Sequence, residues 1–320
     1  PGYGPYENAL LRALQPHTAD YERKTHGNIG TRAVCSRPEK GAEAGVRAVW
    51  YHGCWWHRNG RYFDPDQPLD AKYETVAGRT RTYRDRIEDI KRCRKHGIGV
   101  YMYTQFAGIS RPTVPQFSSS MIRNLGENLV TVGHDGNYDN IWANPDLDLP
   151  YGKSFLKQVD GMLETFNCAG IAMDRVDRLD GRYDRLYDLA HFDGSATPYL
   201  HEAKHRPCSS IALQGKEFWK GIRRVLDRHD ALWLANVPRA MAIFRLADGF
   251  IADVPHTPWN AFFMRAMSNG KSFFVYDRPP LMSSPASSTA TASDKAERYA
   301  DTRRRIDALL DDPTDWVSAM

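Results

Sequence analysis

No apolar run in this 320-residue chain approaches the ~18 residues a membrane-spanning helix needs. The opening residues lack the charged-then-apolar pattern of a secretory leader, so nothing in the chain gives a localisation. The chain starts at Pro1 rather than Met, and Trp316–Met320 reads as the beginning of a strand cut short. A fragment or processed product is therefore the expectation. Five cysteines (Cys35, Cys54, Cys93, Cys168 and Cys208) are scattered without any CxxC spacing. That argues against a cysteine zinc site or a disulfide framework and leaves room for one incidental disulfide. Charge of one sign is also missing: 43 basic and 39 acidic residues leave +4, with acids and bases interleaved. No nucleic-acid footprint follows from such a balance. Neither GxGxxG nor GxxxxGK(S/T) follows any strand candidate, so no nucleotide-binding loop is read.

What the chain does contain is a large apolar fraction, 42%, and many aromatics, including 8 Trp and 16 Tyr. Such rings stack on sugars and other flat ligands, and large cores use them as well. The length is long for one domain yet ordinary for a parallel α/β barrel, which takes ~250 residues or more.

Strand candidates recur with helices between them. Val46–Tyr51 is rich in β-branched and aromatic residues. Tyr83–His96 carries Ile87, Ile90 and Cys93 at helical spacing, Gly97 ends it, and Ile98–Phe106 is the next strand. Tyr151–Phe166 is a helix with Phe155, Val159, Met162 and Phe166 on one face. It feeds an apolar run, Ile171–Met173, that breaks abruptly into Asp174, Arg175, Asp177, Arg178 and Asp180. Helix Ile211–Asp227 precedes strand Leu232–Val237, a short helix covers Arg239–Leu246, and strands Gly249–Val254 and Lys271–Asp277 follow. Residues 107–150 and 175–209 read as long loops, which in a compact domain carry function or small elements of their own. Residues 1–45 show no clear strand and are either an N-terminal extension or the first barrel element, with 46–320 the barrel.

Helix-separated parallel strands mean a doubly wound sheet or a barrel. Successive strands here end in Gln105, Asp174, Asn236, Asp253 and Asp277. A barrel gathers such ends on one rim, whereas an open sheet concentrates function at a switch point. The expected fold is a (β/α)8 TIM barrel, complete or truncated at one or both ends. With Val46–Tyr51 as the second strand, Asp174 ends the fourth and Asp253 the sixth. Adjacent strands lie ~4.8 Å apart, which brings inward-leaning carboxylates two strands apart to about 5–9 Å. That interval spans the separations of both retaining (~5–5.5 Å) and inverting (~6.5–9.5 Å) glycosidases.

The stretch GIAMDRVD, preceded by a helix and by IWANP at Ile141–Pro145, resembles the fourth-strand nucleophile region of TIM-barrel glycoside hydrolases. An Asp ending strand four paired with an Asp ending strand six is similar to the α-galactosidase and α-glucosidase superfamily. That resemblance covers roughly residues 46–277. It implies a retaining, cofactor-free glycosidase acting on a carbohydrate, with Asp174 as nucleophile and Asp253 as acid/base. The chain departs from the α-amylase pattern, since strand five ends in Asn236 without a Glu and strand two is followed by His52–Trp56 rather than an acidic pair. Substrate contacts are expected from Trp50, Trp55, Trp56, Tyr103, Gln105, Arg175, Asp177, Asn236, His256, Trp259 and Asp277. Each has a plain alternative. The tryptophans can be packing, the arginines surface partners of nearby acids, Asn236 a helix cap, and Asp174 itself a turn cap. Asp177 or Asp180 could replace Asp174 as the working acid.

Two rival readings stand beside this one. His201–His205 reads HEAKH, a literal HExxH match that on a helix would aim two His at zinc with Glu202 as base. Pro198 and Pro207, however, leave room for barely two turns. The other rival is a non-catalytic carbohydrate-binding barrel in which the acids are surface pairs. No oligomeric state, sugar or linkage is read from the sequence.

Overall fold

The structure, a computed structural model, describes residues 28–43, 45–51, 62–74, 80–105, 108–123, 128–129, 131–135, 138–174, 187–188, 190–191, 198–200, 207–210, 216–236, 241–252 and 271–275. Seven strands form one sheet in which every pairing is parallel and spatial order follows chain order. They are β1 (Asn28–Thr31), β2 (Val46–Tyr51), β3 (Gly99–Gln105), β4 (Gly170–Asp174), β5 (Leu232–Asn236), β6 (Gly249–Ala252) and β7 (Ser272–Val275). The first and last of these strands also lie against each other, so the sheet curls round on itself. This is the architecture of a (β/α) barrel, truncated among the described residues by the want of an eighth strand.

The helices are α1 (Pro38–Glu43), α2 (Tyr83–Lys95), α3 (Pro150–Phe166), α4 (Lys216–Arg228) and α5 (Met241–Leu246). Local chemistry sets their ends. Thr82 caps α2 through a reciprocal capping box with Asp85, satisfying two otherwise orphaned backbone donors. Gly97 then takes a left-handed φ of 69°, which lets the chain turn straight into β3. In α3 the buried face is Phe155, Val159, Met162 and Phe166, four residues whose spacing places them along one side of a 3.6-residue helix.

Register shows which side chains face the barrel axis. Tyr103 pairs with Ala172 and Gln105 with Asp174, while Leu234 pairs with Ala172 across the next boundary. Side chains alternate along a strand, so Trp50, Tyr101, Tyr103, Gln105, Asp174 and Asn236 share the inner face. The intervening residues face the helices. Trp233 stacks on Trp219 of α4 at 5.8 Å, and the Tyr51 hydroxyl donates to Asp89 of α2 at 2.6 Å. Gly170 opens β4 with φ 153°, and a Cβ there would lie 1.9 Å from the Leu232 carbonyl oxygen. Only glycine permits this approach of β4 to β5.

Several details differ from the expectations drawn from sequence. Asn28–Thr31, within a region that shows no clear strand in sequence and reads as an N-terminal extension or the first barrel element, pairs in parallel with β2. The stretch 107–150 read as loop holds strands 108–110, 131–135 and 138–142 in an antiparallel sheet, together with a 3-10 segment over 111–120. The stretch 175–209 likewise contributes strands 187–188 and 198–200, which pair antiparallel with 207–210. These two insertions, which follow β3 and β4, are tied together. Asn144 Nδ2 donates to Asp188 at 2.8 Å, and His191 bridges Asp188 and the Ser119 carbonyl oxygen, each at 2.7 Å. On α2, Ile90 and Cys93 are buried and Ile87 packs against the core as their spacing indicated, and the charged Arg86 and Asp89 are buried with them. Cys35, Cys93, Cys168 and Cys208 are buried. Among the described residues no helix is long and apolar enough to cross a membrane.

Candidate active site

Three neighbouring strands, β3, β4 and β5, bring Gln105, Asp174 and Asn236 side by side at their C-terminal ends. Asp174 is half-buried and accepts hydrogen bonds on both oxygens. The Tyr103 hydroxyl donates to Oδ2 and Asn236 Nδ2 donates to Oδ1, each at 2.6 Å. Acceptance on both oxygens is what the ionised form of a carboxyl offers.

The donor that holds Asp174 is itself held. Gln105 Nε2 donates to the Tyr103 hydroxyl oxygen at 2.6 Å, so the phenol proton points at Asp174. Burial first, and then the negative Asp174 beside it, push the Tyr103 hydroxyl well above the usual phenol range, so it remains a donor. Trp50 stacks on Tyr103 with ring centroids 5.8 Å apart and is itself buried. Below them, Tyr62 clamps the Gln105 backbone. Its hydroxyl donates to the Gln105 carbonyl oxygen at 3.0 Å and accepts the Gln105 N–H at 2.7 Å. Tyr62 is fixed in turn by Gln158 on α3, whose Oε1 accepts the Tyr62 N–H at 2.8 Å. A chain of buried polar contacts thus runs from an outer helix to the half-buried acid on the rim.

Of the residues expected from sequence, Trp50, Tyr103, Gln105, Asp174 and Asn236 converge here. Trp50, Tyr103, Gln105 and Asn236 are nearly inaccessible, and their contacts hold Asp174 and one another. Trp55, Trp56, Arg175, Asp177, His256, Trp259, Asp277 and the catalytic candidate Asp253 lie outside the described residues, as do Arg178, Asp180 and the HEAKH motif at His201–His205. Strand β6 ends at Ala252, directly before Asp253 in the chain. Among the described residues no group of three or more His, Cys, Asp or Glu is placed to hold a metal ion. Tyr62 and Gln158 were missed. The spacing of α3 marks Gln158 as ordinary helix, and Tyr62 sits in a polar stretch 43 residues from its partner.

No family model and no curated sequence matches the chain. Solved structures do share its fold. A cycloisomaltooligosaccharide glucanotransferase of Paenibacillus sp., complexed with cycloisomaltoheptaose, superposes with a TM-score of 0.61 at 12% identity. That match covers 80% of this chain and 39% of the other. The α-galactosidase of Thermus thermophilus, complexed with stachyose, gives 0.51 at 11% identity, over 93% and 63%. An exo-β-N-acetylglucosaminidase of Vibrio harveyi gives 0.50 at 9% identity, over 79% and 41%. The chain has the fold of glycosidase catalytic barrels. It spans between about two fifths and two thirds of the length of these structures.

Proposed function

We propose that the chain is the catalytic barrel of a glycoside hydrolase that works by retention, with Asp174 as nucleophile and Asp253 as acid/base. The observation that carries this reading is the setting of Asp174. It ends the fourth strand of a barrel with a glycosidase fold, where barrel enzymes place their chemistry. Its oxygens are aimed by two donors that leave it half-exposed toward the rim. A nucleophile needs that combination of fixed direction, anionic form and open access.

In the first step an oxygen of Asp174 attacks the anomeric carbon. The glycosidic bond breaks as Asp253 gives its proton to the leaving oxygen. In the second step Asp253 takes a proton from water, whose oxygen displaces Asp174 from the same carbon. Tyr103 and Asn236 keep the carboxylate oriented through both steps. Neither proton transfer nor attack draws on a cofactor.

The test is hydrolysis of a panel of aryl α- and β-glycosides by wild type, Asp174→Ala and Asp253→Ala, each with and without azide. Wild-type turnover that is lost in both variants and rescued by azide as glycosyl azides of opposite anomeric form supports the assignment. Turnover that survives Asp174→Ala overturns it.

A further inference from the structure

Asp188 has no exposed surface, and donors surround it. Its Oδ1 accepts the backbone N–H groups of Ala190 at 2.8 Å and His191 at 3.3 Å. Its Oδ2 accepts Asn144 Nδ2 at 2.8 Å and faces His191 Nδ1 at 2.7 Å. The Asn144 amide is fixed in that sense, because its Oδ1 accepts the Asp146 N–H at 2.9 Å. Donors on both oxygens leave no place for a proton on Asp188, so the carboxyl is ionised. A buried anion is costly unless a cation lies beside it.

The second nitrogen of His191 identifies that cation. Nε2 lies 2.7 Å from the Ser119 carbonyl oxygen. A carboxylate and a carbonyl only accept, and a neutral imidazole carries a single N–H. In the neutral ring one nitrogen lone pair would therefore face an oxygen lone pair at 2.7 Å. Only the imidazolium satisfies both contacts. The hydrogen bond to Asp188 raises the ring's titration above 6.5, and burial works against that. The negative charges of Asp188, in its own segment, and of Asp146, ahead of α3, also favour the cation, as does the Ser119 carbonyl.

The ring joins two separate stretches of chain. Ser119 and Asn144 belong to the insertion that follows β3, and Asp188 and His191 to the one that follows β4. These insertions leave the barrel at the strands ending in Gln105 and Asp174. We infer that His191 is a charge-operated latch: as an imidazolium it clasps the Ser119 carbonyl oxygen and the buried Asp188 carboxylate, and losing its proton in alkaline solution loosens the junction between the two insertions. The latch stands independently of the glycosidase reading. Its sign follows from linkage. The folded ring holds its proton more tightly than the unfolded one, so the stabilisation is complete below 6.5 and is lost as pH rises through the folded titration point.

The test has two measurements on the whole chain. The first is the ring nitrogen chemical shifts of His191 in the wild type, followed by NMR across pH. The expected ring is mostly doubly protonated at pH 6.5 and titrates above it; a ring that is half neutral or more at that pH overturns the inference. The second is hydrogen exchange at the amides of Asn144, Ala190 and His191, each corrected for its intrinsic rate, in wild type and His191→Gln. Wild-type protection should fall about tenfold per pH unit from 6.5 up to the titration point of the ring, while the variant, which has no titrating group there, stays flat. A flat wild-type profile, or an equal fall in both proteins, overturns the latch. Where His191→Gln does not fold, the wild-type fall must end at the titration point measured for the ring itself, and a fall that ends elsewhere overturns the latch.

Discussion

Tyr103→Phe removes a single oxygen, and the structure gives it two separable consequences. The first falls on Asp174, which loses the donor 2.6 Å from Oδ2. A hydrogen bond to a charged group is worth ~1.5–3 kcal/mol. If that orientation is needed in the transition state, kcat/KM falls about 10- to 150-fold at ~1.36 kcal/mol per decade. The second consequence falls on Gln105, whose Nε2 loses the acceptor 2.6 Å away while remaining buried. An unsatisfied buried donor costs ~1–3 kcal/mol of folding stability. The Phe ring retains the stacking on Trp50, so packing changes little. Urea denaturation reads the stability loss, and aryl glycoside hydrolysis reads the rate. Pairing Tyr103→Phe with Gln105→Met separates them, because Met carries no donor to strand. Stability should return toward wild type in the double variant while the rate deficit persists. The reasoning is refuted if Tyr103→Phe keeps wild-type stability and rate, or if the double variant recovers rate together with stability.

Arg86 is buried, with its guanidinium 4.7–5.6 Å from the ring centroids of Tyr73, Tyr83 and Phe166 and, among the described residues, no hydrogen-bond partner for its side-chain nitrogens. Cation–π contacts return ~0.5–2 kcal/mol against a desolvation cost of several. Arg86→Met should therefore leave stability unchanged or raise it, and a loss above ~1 kcal/mol in denaturant melts would show that the cage is worth more than its desolvation. Gly170→Ala forces a Cβ to within 1.9 Å of the Leu232 carbonyl oxygen at a φ of 153°, so it should cost several kcal/mol or abolish folding; a variant melting like wild type contradicts the close strand approach. Burial is the main cause that lowers the Lys271 amine to about 8, although it donates to the Ala247 and Arg245 carbonyl oxygens. With the folded value below the ordinary 10.5, the unfolded chain binds more protons between these two values, so stability rises with pH across about 8 to 10.5. That rise should be missing in Lys271→Met, and parallel stability profiles for the two proteins would refute it.

Much of the barrel was readable from local pattern because helical and strand periods are properties of neighbouring residues. The face Phe155–Val159–Met162–Phe166 and the run Ile171–Met173 needed nothing beyond their spacing. Asp174 stood out because a run buried on both sides breaks at that residue into charge. Where a signal depends on a distant partner, the pattern failed. Asn28–Thr31 has a single large apolar residue, Ile29, and is a strand because β2 offers it a parallel edge. Arg86 lies outside the apolar spacing of Ile87, Ile90 and Cys93 on α2, yet it is enclosed by rings from two other segments and its own helix.

The site divides along the same line. Composition and order alone determined that a carboxylate and an amide would end successive strands of a parallel barrel. Tertiary structure alone decided that Asn236 and Tyr103 donate to the two oxygens of Asp174, that Gln105 orients the phenol, and that Tyr62 and Gln158 brace Gln105 from below. Hydrogen bonds act over about 3 Å and only along narrow directions. Apart from the Gln105–Tyr103 contact within one strand, these partners lie 43 to 96 residues apart, so which donor meets which acceptor is settled by strand register and barrel curvature, neither of which any single stretch of sequence contains.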